Sequence, residues 1–520
     1  MALSPSPSMS TSPRPTTLGD LRAIGYKSRS VKDEMRTNLM RRMRNREDVF
    51  PGVLGYDETV VPQLQNAILA RHDFILLGLR GQAKTRLLRH LSLLLDEAVP
   101  YMAGSELRED PLNPITGRSR ERLADEGDDV AIAWLSPQDR YAEKLATPDT
   151  SIADLIGDID PIKAATRRLT YADEEAIHFG LIPRMHRGIF ALNELPDLPA
   201  RIQVGLLNVM EEQDVQIRGF NVRMPIDVQM VFTANPEDYT NRGSIITPLK
   251  DRVDSQILTH YPRDLSIGVA ITSQEAWQDR STVGEEVPDV AVPHFLREIV
   301  EQIAFEARKS EYVDQKSGVS ARLTRAALED LISAAERRAI LNGEQSTTAR
   351  ISDLKAVEPA ITGKVELVYE GEQEGVQQVA QMLIGRAAAT IFKRYLPDPT
   401  EKSADVTQGR AAYTQVLQYF ATGGVVELHP TVSDADYESR LYSVPALESL
   451  VKKHTPSNAS GEMAVVMEFV LEVLHQHSLL GKDEEAGGST YGDMMGAVLG
   501  RLGAPGDDDD ELDDYRERYG

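Results

Sequence analysis

The sequence predicts an α/β fold built on a parallel sheet, followed by a mostly helical region. Three observations lead to this prediction. Between residues 50 and 262, short apolar runs rich in β-forming residues alternate with helical patterns, as in sheets whose parallel strands are joined by helices. A glycine-rich loop, residues 78–83, joins one of these runs to a helix. After residue 263 such runs become scarce, and apolar residues recur at helical spacing.

Composition limits the classes of protein to consider. With 520 residues, of which 41% are hydrophobic, the chain is long enough for several domains. Its net charge is 57 − 81 = −24, so we do not expect nucleic acid as a partner. The lack of cysteine excludes disulfides, thiolate zinc sites and cysteine nucleophiles. No apolar run reaches the roughly 20 residues of a membrane helix, so we expect a cytoplasmic protein with no membrane partner.

The composition changes several times along the chain. In order, the predicted segments are a disordered Ser/Pro-rich tail (1–25), a basic helical arm (26–49), an α/β domain (50–262), an α-helical domain (263–345), a mostly helical extension (346–502) and an acidic disordered tail (503–520). Because the whole chain is acidic, we expect the basic arm to be a solvated helix or to pack on a neighbouring element rather than to contact nucleic acid. Inside the α/β domain, the polar residues 97–150 are interpreted as an insertion or loop-rich region.

The first predicted strand, Phe74–Leu77, runs into the loop "GLRGQAKT". A strand that delivers glycine-rich backbone to a helix N-terminus places free amides and the positive end of the helix dipole against an anion. Lys84 would neutralise the terminal phosphates of ATP, and the Thr85 hydroxyl would ligate Mg²⁺. The predicted nucleotide-binding residues are Gly78, Leu79, Arg80, Gly81, Gln82, Ala83, Lys84 and Thr85.

One loop position departs from the usual pattern, because Ala83 replaces the glycine that normally precedes the lysine. A Cβ at this position requires an ordinary negative φ, so we expect Ala83 to have one. Arg80 and Gln82 are interpreted as ordinary loop residues.

A second predicted strand, Gly188–Leu192, ends in Asn193 and Glu194. A P-loop ATPase needs a carboxylate near the magnesium ion and usually a glutamate that orients the attacking water. Glu194 lies where the water-orienting residue is expected. Asn193 lies where an aspartate is expected, so it is the second predicted metal residue after Thr85, with weakened metal affinity because an amide carries no charge.

Over residues 50–340, the order of motifs resembles the AAA+ ATPases of the magnesium chelatase I-subunit and MoxR group. The stretch "GIFALNELPDLPARIQVGLLNVMEEQDVQIRG" is similar to that group's Walker B strand, helix and β-hairpin insert, the latter near residues 215–224. The resemblance implies a P-loop AAA+ core, with a parallel sheet in a three-layer αβα arrangement, followed by an α-helical lid domain. The mostly helical C-terminal extension lies outside it.

The resemblance also assigns three further residues. Asn235 in "VQMVFTANPEDY" matches the sensor 1 residue, which helps to position water beside the γ-phosphate. Arg252 in "ITPLKDRVDSQI" matches the arginine finger that reaches the nucleotide of the next subunit. Arg322 in "GVSARLTRAAL" matches the sensor 2 arginine. With Glu194, these are the predicted catalytic residues.

Three functions remain open at this stage. The first is a slow, ring-forming Mg-ATPase, commonly a homo-hexamer in this group, that remodels or activates a substrate protein and acts with a partner containing a von Willebrand factor A domain. The second is a nucleotide-gated scaffold without hydrolysis, which Asn193 favours. The third is a nucleic-acid motor or transcription regulator, supported only by Ala83 and the Arg-rich residues 36–46; the "GAFTGA" loop of sigma-54 activators is absent.

Overall fold

The computed structural model describes residues 14–167, 174–216, 223–236, 244–281, 287–401, 408–455, 460–483 and 488–493. The predicted acidic tail and residues 1–13 of the predicted N-terminal tail lie outside the described residues. The chain divides into two compact units, residues 1–261 and 262–520.

The first unit is built on a five-stranded parallel sheet with the strand order β11-β1-β10-β7-β4. The register pairs Leu77 of β1 with Ala234 of β10, and Phe232 of β10 with Leu192 of β7. The strands of this unit are β1 (Phe74–Leu77), β2 (Val99–Met102), β3 (Ile132–Leu135), β4 (Tyr141–Leu145), β5 (Gly157–Ile159), β6 (Ile177–Phe179), β7 (Gly188–Asn193), β8 (Asp214–Gln216), β9 (Arg223–Pro225), β10 (Val228–Ala234) and β11 (Ser255–Leu258).

Helices cover both faces of this sheet. Alternate strand residues point to opposite faces, so Ile75 and Phe190 lie in one hydrophobic core and Phe74 and Ile189 lie in the other. The predicted parallel sheet in a three-layer arrangement is therefore confirmed. The helices of this unit are α1 (Leu18–Ala23), α2 (Val31–Asn45), α3 (Val60–Leu69), α4 (Lys84–His90), α5 (Gly117–Glu126), α6 (Ile152–Leu155), α7 (Pro161–Arg167), α8 (Leu181–Arg184), α9 (Ala200–Gly205), α10 (Leu207–Glu211) and α11 (Thr247–Arg252).

The N-terminal segment is more ordered than its composition suggests. The prediction of a disordered tail through residue 25 is wrong for residues 18–23, which form α1. Thr17 caps this helix and bridges Ala131, and Leu18 and Leu21 are completely buried beside β2 and β3. Two leucines at helical spacing are enough to dock one short helix on a strand pair.

The predicted basic arm forms α2, which is an integral part of the first unit. Val31 and Met35 are completely buried in the core that covers one face of the sheet. Glu34 is also buried, and both of its carboxylate oxygens accept hydrogen bonds from the Arg140 guanidinium, at 2.7 and 2.6 Å. The helix thus packs on its neighbours, as expected from the acidic total charge.

The interpretation of residues 97–150 as a loop-rich insertion is wrong. This segment supplies the antiparallel pair β2–β3, helix α5 and the edge strand β4, which pairs in parallel with β7. The side chains of β4 are only partly buried or exposed, because the strand lies at the edge of the sheet. It therefore carries no apolar run that would identify it in the sequence.

The second unit is mainly helical and has one continuous hydrophobic core. Phe295 and Phe469 stack at 5.3 Å, so the predicted boundary at residue 345 does not separate two compact units. Its helices are α12 (Leu265–Glu275), α13 (His294–Ala307), α14 (Ala321–Asn342), α15 (Glu358–Thr362), α16 (Tyr369–Glu374), α17 (Val376–Tyr395), α18 (Thr414–Ala421), α19 (Asp434–Tyr442), α20 (Leu447–His454) and α21 (Ser460–Gln476). Its strands are β12 (Asp289–Ala291), β13 (Ser346–Thr348), β14 (Val426–Leu428), β15 (Gly481–Asp483) and β16 (Ser489–Gly492).

Within the described parts of the chain, no helix combines the length and the apolar character needed to cross a membrane.

Candidate nucleotide-binding site

Three neighbouring strands of the main sheet end at the same edge. Because β1, β10 and β7 are adjacent and parallel, the residues that follow them, Gly78, Asn235 and Glu194, lie side by side at their carboxyl ends. The Gly78 amide donates to Ala234 O at 3.2 Å, which joins the glycine-rich loop to the end of β10. The sheet therefore brings together the loop and the two strand ends that the sequence predicts to act on a nucleotide.

Lys84 lies at the start of α4, directly after the loop. The residue is buried, and its ammonium group donates to the carbonyl oxygens of Gly78 and, at 3.1 Å, of Leu79. The N-cap residue of α4 is Ala83, which has no polar side chain to cap the helix amides. A buried cation beside uncapped helix amides is the arrangement that favours a bound phosphate.

Two tyrosines hold the outside of the loop. The Tyr261 hydroxyl donates to Arg80 O at 2.9 Å. The Tyr56 hydroxyl lies 2.9 Å from Gln82 O and 2.8 Å from His260 O, so it donates to one of them at a time. Burial raises the pKa of Tyr56 above its ordinary value, so this hydroxyl remains a donor even in mildly alkaline solution. The carbonyls of Arg80 and Gln82 are thus bound by groups outside the loop. Neither tyrosine was identified from the sequence because each is distant along the chain.

The expectation of an ordinary negative φ at Ala83 is wrong. Ala83 has φ 55° and ψ 16°, in the left-handed region, and Gly81 has φ 75°. The turn from the loop into α4 requires this conformation whatever residue is present. An L-residue there is destabilised by roughly 1–2 kcal/mol relative to the right-handed region. Ala83 is exposed, so its methyl group meets no buried neighbour.

Thr233 orients both residues at the end of β7. Its hydroxyl donates to Asn193 Oδ1 at 3.2 Å and accepts from the Glu194 amide at 3.0 Å. Glu194 itself has φ 54° and ψ 52°, a second left-handed residue at the same edge. Backbone strain of this kind clusters at functional sites. Thr233 was not predicted from the sequence, although its position two residues before Asn235 is a usable signal.

Asn235 follows β10 and is 7% exposed. Its Oδ1 atom is buried and accepts no hydrogen bond from any residue that the structure describes. A buried amide oxygen without a donor is destabilising. It is therefore suited to accept a hydrogen bond from a water molecule, and its role as the sensor 1 residue stays a prediction.

The oxygen donors at this edge fit Mg²⁺, which prefers hydroxyl, amide, carboxylate and phosphate oxygens. Thr85 in the first turn of α4 would supply a hydroxyl, and Asn193 an amide oxygen acting through a water molecule. Among the residues that the structure describes, no group of three or more His, Asp or Glu side chains could hold a metal.

Arg252 is held within its own chain. Its guanidinium donates to Glu211 Oε2, at 2.7 Å from Nε, and to Pro248 O at 2.9 Å from Nη1. The Arg252 side chain is 28% exposed and that of Glu211 55% exposed. The structure places Arg252 at the end of α11 and does not bring it to the loop, so a role at a neighbouring subunit's nucleotide stays a prediction.

Arg322 belongs to the second unit, in the first turn of α14. It is exposed, and its amide donates to the Ser320 cap at 3.1 Å. Its role as sensor 2 also stays a prediction. The predicted β-hairpin insert is present as the antiparallel pair β8–β9, in which Val215 lies opposite Met224. The tip of this hairpin, residues 217–222, lies outside the described residues.

Comparison with known proteins agrees with this geometry. Residues 166–254 match the sigma-54 interaction domain family. The chain is 24% identical over 258 residues to the chaperone MoxR1 of Mycobacterium tuberculosis. The chain is thus similar to AAA+ proteins of the MoxR and magnesium chelatase type. The MoxR1 match spans 47% of this chain and 65% of MoxR1.

Several solved structures are similar to the chain at lower levels. A model of the complex between subunits BchI and BchD of magnesium chelatase has a TM-score of 0.32 at 17% identity and covers 62% of this chain and 98% of that one. NtrX from Brucella abortus in complex with ATP has a TM-score of 0.36 at 13% identity, covering 73% and 71% of the two chains. A putative ATPase from Cytophaga hutchinsonii has a TM-score of 0.28 at 16% identity, covering 70% and 97%.

Proposed function

We propose that this AAA+ protein binds ATP with Mg²⁺ at the carboxyl edge of its sheet and hydrolyses it slowly as a ring oligomer. The observation that carries the proposal is the meeting of three strand ends. They bring the Lys84 ammonium, the Glu194 residue and the buried Asn235 amide to one edge of the sheet beside the glycine-rich loop.

Each residue has a distinct part in the proposed reaction. Lys84 and the loop amides bind the phosphates, Glu194 orients the attacking water, and Asn235 holds that water through its amide. Arg252 of a neighbouring subunit stabilises the charge that develops on the transferred phosphoryl group. Because this step depends mainly on positioning and on cations, an arginine in this role contributes roughly 10³-fold or more in rate.

Asn193 explains why the proposed hydrolysis is slow. Its oxygen already accepts a hydrogen bond from Thr233, and it carries no charge to attract a metal. Mg²⁺ affinity should therefore fall below that of an aspartate-containing site. ATP binding depends mainly on the loop and on Lys84, so it should survive.

The proposed output is the remodelling or activation of a partner protein. MoxR1 is named a chaperone, and the BchI structure is a complex with BchD, which supports a partner-directed role for this chain. We propose a homo-hexamer, since Arg252 acts from outside its own site, and a partner with a von Willebrand factor A domain. The β8–β9 hairpin is the proposed moving element.

A phosphate-release assay on the assembled protein tests the proposal. Wild type should release phosphate from Mg-ATP above the level of Glu194→Gln, and this variant should still bind ATP because its loop is intact. Equal release by the two proteins would exclude Glu194-dependent hydrolysis.

The nucleotide-gated scaffold is the second candidate, favoured by the uncharged Asn193 at the metal position. It predicts ATP binding without turnover in wild type. Asn193→Asp separates the two functions, because it keeps the acceptor for Thr233 and adds the missing charge. Turnover that arises only in this variant would support the scaffold, whereas turnover already present in wild type would support the ATPase.

A further inference from the structure

We infer that Thr259 and Gln82 are positioning residues that shape the phosphate-binding loop before a nucleotide arrives. The inference rests on the proposed nucleotide-binding function and deepens it. Gln82 was expected to be an ordinary loop residue. Instead its side chain is buried and accepts a hydrogen bond from a threonine at another strand end.

Thr259 is held beside the start of the loop by the sheet. It directly follows β11, which pairs with β1 in a register that sets Leu258 opposite Leu77. The Thr259 amide donates to Leu77 O at 2.8 Å. Its hydroxyl donates to Gln82 Oε1 at 2.7 Å, with Leu77 O a more distant alternative acceptor at 3.2 Å.

The two side chains are 8% and 6% exposed, so their hydrogen bond is shielded from water. Buried amide oxygens require a donor, and removal of the Thr259 hydroxyl would leave Gln82 Oε1 without this one. This hydrogen bond therefore holds the Gln82 side chain in one conformation. Through that side chain it also restricts the backbone at the end of the loop.

Gly78 packs directly on this pair. A Cβ at Gly78 would lie 1.8 Å from Thr259 Oγ1 and 2.2 Å from Gln82 Oε1, distances that no carbon atom tolerates. The pair therefore connects the two ends of the loop. Gly78 is the first residue of the loop, and Gln82 lies directly before Ala83 at its other end. This contact also explains why position 78 needs glycine despite having no positive φ.

A loop that binds phosphate through several amides must hold them in one arrangement, and ordering it only on binding would weaken affinity. The Thr259–Gln82 pair supplies this order in advance. Loss of the hydroxyl should therefore weaken nucleotide binding about tenfold, as expected for one unsatisfied buried acceptor. Neither side chain needs to touch the nucleotide.

The test uses the full chain with Mg-ADP in titration calorimetry and with hydrogen exchange of residues 78–83 in the absence of nucleotide. Thr259→Val should weaken Mg-ADP binding about tenfold and speed loop exchange, whereas Thr259→Ser, which keeps the hydroxyl, should restore both. Thr272→Val is the matched control, because Thr272 is a buried threonine of the second unit whose hydroxyl donates to Glu301 at 2.8 Å. It should change neither measurement.

A further variant covers the case in which Thr259→Val folds poorly. Gln82→Leu combined with Thr259→Val removes both polar partners and leaves no buried acceptor unsatisfied. The double variant should therefore be more stable than Thr259→Val alone, while its loop still exchanges faster than that of wild type. If residues 78–83 exchange at the wild-type rate in both Thr259→Val and the double variant, the inference is overturned. If wild type binds no Mg-ADP, the proposed function fails, and the exchange rates still decide whether the pair orders the loop.

Discussion

Ala83→Gly tests the geometry of the loop most sharply. An alanine in the left-handed region is destabilised by roughly 1–2 kcal/mol, and glycine removes this strain. Glycine also increases the freedom of the unfolded chain, which costs roughly 0.4–1 kcal/mol. Because Ala83 is exposed, loss of its methyl group removes no packing. The net effect should be a stabilisation of about 0.5–1 kcal/mol.

Equilibrium urea unfolding of the full chain measures this change. The matched control is Ala124→Gly, because Ala124 is also exposed but lies inside helix α5. The control should lose about 1 kcal/mol, the usual cost of glycine in a helix. Opposite signs for the two substitutions would support the left-handed conformation of Ala83. A loss of stability at both positions would refute it.

Three further predictions concern contacts outside the loop. Glu34→Gln should lower the free energy of unfolding by about 3–5 kcal/mol in urea titrations, because it leaves the buried Arg140 guanidinium without its counter-charge; a loss under about 1 kcal/mol would contradict this. Burial lowers the pKa of His186 to about 4, so the neutral imidazole stabilises the fold above pH 6.5 and this contribution is lost as pH falls towards 4. When the pH falls from 7.5 to 5, the free energy of unfolding of wild type should decrease by about 2 kcal/mol more than that of His186→Asn. An equal decrease in the two proteins would contradict this role of His186. Glu211→Gln should increase modification of Arg252 by an arginine-selective dicarbonyl reagent, measured by mass spectrometry, and unchanged modification would show that the ion pair does not protect this side chain.

The α/β core was predictable because its central strands carry an unambiguous signal. β1, β7 and β10 are nearly all buried, so they are apolar along their whole length. The edge strand β4 escaped prediction since it is mostly partly exposed and reads as a polar segment. Helix α1 escaped for a different reason. Its two leucines stand in a low-complexity segment, and the buried residues of β2 and β3 on which they pack lie more than 80 residues away.

The candidate site was predictable where its residues adjoin a strand end. Lys84, Glu194 and Asn235 each follow a buried strand, so chain order and parallel topology are enough to bring them to one edge. The contacts that orient them are not local. Gln82 depends on Thr259, which is 177 residues away, and such pairing leaves no periodic pattern in one sequence.

Conformation at single residues was also beyond prediction. The φ of Ala83 depends on how the loop meets α4, and the pairing of Arg252 with Glu211 depends on how α10 and α11 pack. A motif identifies the residue type at such positions, whereas its backbone angle and its partner follow from the folded chain.

The central claim is that the loop ending in Lys84 holds a nucleotide phosphate. Calorimetric titration of wild type and Lys84→Ala with Mg-ADP and Mg-ATP tests it directly. We predict saturable binding by wild type and its loss in Lys84→Ala, with both proteins folded by circular dichroism. Absence of binding heat in wild type at millimolar nucleotide, or equal binding by the two proteins, would contradict the claim.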